Sequence, residues 1–161
     1  MFTLADIRDI AVQIEKNGAD IYQRASRQIG DPELSKMIAW MAEEELRHLE
    51  WFQGLNTGDN EPSVDPDIEA MGRALLQEMV ENRTFSLSSE PLRATQDIFA
   101  LLVQSLAFEE DTILFYQTLG AFIEDDAPKR QLDAIISEER RHVRQIERMQ
   151  ASIGAGSGKR V

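Results

Sequence analysis

The chain has two histidines, and each closes a similar string: Glu44-Glu45-Leu46-Arg47-His48 and Glu138-Glu139-Arg140-Arg141-His142. In both, a glutamate precedes the histidine by three residues. On a helix that spacing puts carboxylate and imidazole on one face, one turn apart. Oxygen and nitrogen donors so placed suit a divalent metal. One such pair would mean little in a chain with 29 Asp and Glu residues; a duplicated pair means more.

The duplication extends beyond the strings. Glu15 and Glu109, Tyr22 and Tyr116, Glu45 and Glu139, and His48 and His142 all stand 94 residues apart. Each half of the chain therefore reads as a glutamate, a tyrosine seven residues later, and a Glu/His pair thirty residues after that first glutamate. The polar positions interrupt stripes that are otherwise apolar and helical in period.

Those stripes define the elements that must position the candidate ligands. Leu4, Ala11, Glu15, Gly18, Tyr22, Ala25 and Ile29 predict a first helix over about 3–29, with Thr3 and Asp6 as a weak capping box. Gly30-Asp31-Pro32 stops it and starts a second helix over about 32–55, with Leu34, Ile38, Met41, Glu45, His48, Phe52 and Leu55 inward. Residues 54–66 are rich in Gly, Asn, Asp and Pro and read as a loop. A shorter helix is expected over 67–82, carrying Ile68, Met71, Leu75, Leu76 and Met79. An irregular stretch over 85–91 follows, in which Ser88 or Ser89 could cap the next helix. The third helix, about 92–124, presents Ile98, Leu102, Ser105, Glu109, Thr112, Tyr116, Leu119 and Ile123; the fourth, to about Ile153, presents Leu132, Ile135, Glu139, His142, Ile146, Met149 and Ile153. Asp125 and Asp126 supply the turn and cap between them, with Pro128 early in the fourth helix. Residues 154–161 are expected to form a flexible tail.

The turns at Gly30/Asp31 and Glu124/Asp125 each lie fifteen residues from Glu15, Glu45, Glu109 or Glu139, roughly 22 Å of helix at 1.5 Å per residue. All four glutamates should then meet at one height. Two hairpins paired through their stripes make an all-α four-helix bundle over 1–153, with the long crossover, about 56–91, joining opposite ends in ferritin-like topology. Four carboxylates and two imidazoles in one apolar interior would be costly without a counter-ion. Two divalent cations balance them, and one Glu from each of two helices plus Glu-x-x-His from the other two is the ligand set of ferritin-like dimetal bundles.

The double motif, Glu15 with Tyr22, Glu45 with His48, Glu109 with Tyr116 and Glu139 with His142, resembles the diiron domain of rubrerythrin and its ferritin-like relatives over nearly the whole chain. The resemblance implies two iron ions, with manganese or zinc able to occupy the same ligands. Glu45 and Glu139 would bridge, Glu15 and Glu109 would be terminal ligands, His48 and His142 would bind one metal each, and Tyr22 and Tyr116 would donate to glutamates across the site. It implies an oxidoreductase acting on hydrogen peroxide or O2, or alternatively a ferroxidase or iron-storage protein. Where rubrerythrin has a further glutamate, this chain has Thr112, matched by Gly18 in the first half, so space beside the metals is expected there. With no cysteine, the chain lacks a rubredoxin-like module, and electrons would come from a separate donor protein or from Fe2+. Relatives commonly dimerise. Leu101, Phe108, Phe115 and Phe122 form a second stripe on the third helix, read as core packing or, alternatively, as a homodimer interface.

Composition narrows the rest. The 161 residues carry a formal charge of −12, against binding nucleic acid or an anionic membrane, and the 42% hydrophobic content suffices for one core. The absence of cysteine excludes disulfides, thiolate metal sites and thiol catalysis. The N-terminal residues lack the features of a signal peptide and no run has membrane-spanning length, so a cytoplasmic protein is expected. Glu44, Arg47, Glu138 and Arg141 fall off the inward faces and are expected to be solvated or in surface ion pairs.

Overall fold

The structure is a computed structural model that describes residues 4–55, 70, 74, 95–121 and 123–157. Among these residues four helices form two hairpins: α1 (Leu4–Gln28) with α2 (Pro32–Gly54), and α3 (Thr95–Gly120) with α4 (Asp126–Ser157). The fold is an all-α four-helix bundle, as the stripes require.

Local chemistry sets the turns. The Ile29 amide donates to the Ala25 carbonyl at 3.0 Å and closes α1. Asp31 caps α2, its Oδ1 accepting from the Glu33 and Leu34 amides at 2.9 and 3.1 Å, while Pro32 takes the first turn, where its missing N–H costs nothing. The Ser35 hydroxyl donates to the Ser26 carbonyl at 2.7 Å and ties α2 back to α1. In the second hairpin α3 stops at Gly120, four residues before the expected Glu124. There the Ala121 amide turns to the Thr118 carbonyl, and the early stop lets Ile123 tuck into the core from outside the helix. α4 runs on past the expected Ile153 through Gly154 to Ser157, since no proline intervenes to stop it. Of the expected crossover helix over 67–82, Ala70 and Ala74 are helical and exposed; the remainder lies outside the described residues, as do 158–161.

The core divides in two. One apolar cluster joins Ala11 and Ile14 of α1, Phe52 of α2, Phe108, Phe115 and Leu119 of α3, and Leu132, Ile135 and Ile136 of α4. The other joins Ile21, Ala25 and Ile29 of α1, Ile38 and Met41 of α2, Leu101 and Leu102 of α3, and Ile146 and Met149 of α4. α2 therefore ends in the first cluster and α3 begins in the second, so the chain leaves one end of the bundle and re-enters at the other. Between the clusters lies a layer of buried Glu and His.

Leu101, Phe108 and Phe115 are all buried within the chain. The packing reading of that stripe holds, and these three cannot form a subunit interface; Phe122 is outside the described residues. The large apolar side chains that α3 exposes are Phe99, Val103 and Leu114. Accordingly, Phe115→Ala should lower unfolding free energy by about 3–5 kcal/mol, and Phe99→Ala by less than about 1 kcal/mol. Urea denaturation followed by circular dichroism measures both; equal losses would contradict this core.

Candidate metal centre

Each helix contributes to the central layer from its inward stripe: Glu15 and Tyr22 from α1, Glu45 and His48 from α2, Glu109 and Tyr116 from α3, Glu139 and His142 from α4. All eight are buried to 1% exposure or less. The structure brings the six candidate ligands into two overlapping sets, Glu15, Glu45, His48 and Glu139, and Glu45, Glu109, Glu139 and His142. Within each set one donor atom per residue lies within 4.8 Å of the others. Glu45 and Glu139 belong to both.

The hydrogen bonds sort the oxygens by role. Tyr22 donates to Glu109 Oε1 at 2.5 Å, and Tyr116 donates to Glu15 Oε1. Oε2 of Glu15, Oε2 of Glu109, both oxygens of Glu45 and of Glu139, and Nδ1 of both histidines are buried with no hydrogen-bond partner. These atoms still crowd together: His48 Nδ1 lies 2.8 Å from Glu139 Oε1, and His142 Nδ1 lies 3.0 Å from Glu139 Oε2 and 3.1 Å from Glu45 Oε1. Orphaned buried donors are costly, and a pair of divalent cations satisfies all of them. The terminal glutamates keep one oxygen free, the shared glutamates keep two, and the residues fit a dimetal group.

Protons act as the counter-ions in the metal-free protein. Burial would lower the His48 pKa, but the Glu139 and Glu15 carboxylates against it push it up to about 12. His142 is likewise raised against the effect of burial, by Glu109 and Glu139. Burial and the neighbouring Glu139 charge raise Glu45 well above the usual carboxylate range and Glu109 to about 7. Glu139 is held below that range because its contacts with His142 and His48 outweigh burial. Both tyrosines are raised well above 10.0, first by burial and then by Glu109 for Tyr22 and Glu15 for Tyr116, so the phenols stay protonated and donate.

The structure corrects two readings around this layer. The expected ion pairs form, with Arg47 on both Glu44 and Glu138, but these glutamates do more than face solvent: Glu44 is buried, Glu138 is half-buried, and each takes the outer nitrogen of the opposite half's histidine. His48 Nε2 lies 2.6 Å from Glu138 Oε2, and His142 Nε2 lies 3.1 Å from Glu44 Oε2. Arg47 joins the two carboxylates, with Nη2 at 2.7 Å from Glu44 Oε1 and 3.0 Å from Glu138 Oε2. A carboxylate on the far nitrogen fixes the ring and makes the near nitrogen a better donor. The sequence signal was the same 94-residue offset, which Glu44/Glu138 and Arg47/Arg141 also obey. Second, Gly18 offers no free space. A Cβ there would meet Glu45 Oε2 at 3.0 Å and Phe108 Cε1 at 3.3 Å, so the glycine is needed for a carboxylate already leaning on the α1 backbone. Thr112 is fully buried, its hydroxyl donating to the Phe108 carbonyl at 2.8 Å.

No protein-family model matches this sequence, and no curated protein matches it. Two solved structures do. One is a hypothetical protein from Pyrococcus furiosus, with TM-score 0.70 and 20% identity over 94% of this chain and 90% of that chain. The other is a candidate ferritin-like diiron-carboxylate protein from Thermotoga maritima, with TM-score 0.67 and 20% identity over 93% of this chain and 95% of that chain. At this identity the likeness is one of fold, a ferritin-like four-helix bundle. Among the described residues no helix is long and apolar enough to cross a membrane.

The titration pattern predicts opposite pH trends with and without metal. Stability from raised pKa values is complete below the unfolded values of 6.5 for histidine and 4.5 for glutamate, and is lost as pH climbs toward about 12 for His48 and about 7 for Glu109. Glu139, lowered, has already made its contribution above 4.5. The metal-free protein should therefore lose Tm between pH 5 and 8. Metal must displace those protons, so the Tm increase on adding Mn2+ should grow over the same range. Differential scanning calorimetry at four pH values tests both trends; a metal increment that shrinks with pH would contradict the site.

Proposed function

We propose that the protein is a dimetal carboxylate protein, with iron as the metal, and that it reacts with hydrogen peroxide or O2. The carrying observation is the set of orphaned donor atoms, repeated in both halves and sorted into terminal and shared carboxylates. The likeness in fold to a candidate diiron-carboxylate protein supports the reading.

Two iron ions bound there supply a two-electron redox centre. The chain supplies the geometry. Glu45 and Glu139 reach both positions, and Glu15 and Glu109 each close one. Tyr22 and Tyr116 hold the outer oxygen of each terminal glutamate, so the inner oxygen stays aimed at the centre. The apolar clusters on either side exclude water and keep electrostatic interactions in the layer strong. Electrons to complete a catalytic cycle come from a separate donor protein, or from further Fe2+ as substrate, in which case the protein is a ferroxidase.

Anaerobic protein loaded with two Fe2+ per chain, then mixed with hydrogen peroxide or with O2, should develop the near-ultraviolet absorption of protein-bound Fe3+ within seconds. One peroxide should oxidise two Fe2+. Faster reaction with peroxide favours a peroxidase, and continued uptake of added Fe2+ with O2 favours a ferroxidase. Glu139→Ala should drop bound metal below one ion per chain and abolish the rapid phase. In the unsubstituted protein, free metal at 100 times Kd should add about 2.7 kcal/mol of stability per site. A spectrum identical to that of free iron would end this reading.

A further inference from the structure

The ligands repeat, but the side chains around them do not. Among the positions next to the candidate ligands, the 94-residue offset pairs unlike side chains at Ala11 and Ser105, Gly18 and Thr112, Trp40 and Ala134, and Trp51 and Gln145. The protic members Ser105, Thr112 and Gln145 stand in the half that carries Glu109 and His142, and Trp40 lies against His142, while Trp51 stands one turn after His48. Ser105 and Thr112 flank Glu109 on α3, one turn before and one turn after it. Ser105 is 1% exposed and its hydroxyl sits against that of Tyr22, which donates to Glu109. The Trp40 ring stands edge-on to His142 at 5.7 Å between centroids. Around Glu15 and His48 the same places hold Ala11, Gly18 and Ala134, and at Gly18 the Glu45 carboxylate fills the available space.

Trp40 also unbalances the outer charges. The Arg141 guanidinium lies 5.7 Å from the centre of the Trp40 ring, at cation–π distance, and its approaches to Glu44 and Glu138 are long, 3.8 and 3.9 Å. Arg47, whose counterpart neighbour is only Ala134, holds Glu138 through both Nη atoms, at 3.3 and 3.0 Å, and Glu44 through Nη2 alone, at 2.7 Å. The Glu138 so held makes the shorter bond, 2.6 Å to His48, against 3.1 Å from Glu44 to His142. The two histidines are therefore held by bonds of unequal length and by carboxylates with unequal partners.

Resting on the dimetal reading above, we infer that the two positions are functionally distinct. The Glu15/His48 position binds a divalent cation first and keeps it. The Glu109/His142 position fills second, exchanges its cation, and is the side on which a small protic ligand such as peroxide is received, next to the buried Ser105 hydroxyl. Preorganisation accounts for the order: a ligand already held in its binding orientation loses less freedom on coordination.

The test is an anaerobic titration of the metal-free full-length protein with Co2+, which binds the same donors without being oxidised and is followed by visible absorption and calorimetry. Two equivalents should bind, with affinities at least about tenfold apart. Glu138→Gln, which keeps shape and removes charge, should weaken the first step by about 10- to 100-fold, the range usual for such outer partners. Glu44→Gln should weaken the second step and leave the first. In a Trp51→Phe background Trp40 is the sole tryptophan, and its fluorescence should be quenched more by the second equivalent than by the first. Two indistinguishable equivalents, or a Glu44→Gln protein that loses the first step, would overturn the inference while leaving the dimetal reading intact. Uptake of one equivalent or none by the unsubstituted protein would end the dimetal reading itself.

Discussion

Everything in this bundle answers to one constraint: four carboxylates and two imidazoles occupy a layer with no access to water. An isolated charge in such surroundings is prohibitively costly, and four like charges within a few ångströms raise the cost further. Without metal, the interior meets the constraint by redistributing protons, leaving the histidines charged and Glu45 and Glu109 reluctant to ionise. With two divalent cations the same groups are neutral imidazoles and ionised carboxylates, and the charges balance. The layer is therefore a demand on the fold as much as a product of it. Apolar clusters above and below must supply the stability that the polar layer does not.

The hydrogen bonds of the tyrosine hydroxyls and of the outer histidine nitrogens run between the two halves of the sequence. Tyr22 holds Glu109, Tyr116 holds Glu15, Glu138 holds His48, and Glu44 holds His142. Each hairpin is closed by its own turn and by caps such as Asp31, but its ligands are oriented by the other hairpin. Assembly of the bundle and assembly of the site are thus one event. A metal that binds the assembled layer stabilises the pairing of hairpins rather than either hairpin alone.

Much of this was legible in the sequence because burial and chemistry shared a period. Glu15, Glu45, His48, Glu109, Glu139 and His142 lie on helical stripes, so a one-dimensional pattern carried their direction, and the constant offset carried their partnership. The contacts of Glu44 and Glu138 with the histidines were missed for the same reason. These two glutamates sit one residue before Glu45 and Glu139, about 100° around the helix, where periodicity alone predicts solvent. What buries Glu44 is the close approach of α4 across α2, and an interhelical distance is not written in either helix. Gly18 shows the same limit: its small size could mean open space or close contact, and the position of the Glu45 carboxylate decides between them. The early stop of α3 at Gly120 likewise depended on Ile123 having somewhere to pack.

Coordination chemistry also explains why the two halves can be alike in their ligands and different around them. A ligand atom must present a particular element at a particular distance, which leaves few choices of side chain. The groups that touch the ligands from outside are under no such rule. They need only orient a ring or balance a charge, and a change there alters how firmly a donor is held without removing it. Trp40 in place of a second alanine is such a change. Its ring takes Arg141, while Arg47 bridges Glu44 and Glu138, so two chemically identical Glu-x-x-His pairs have unlike surroundings. A duplicated set of candidate ligands is thus not bound to be a symmetric one, because its symmetry has to be maintained by the residues around it.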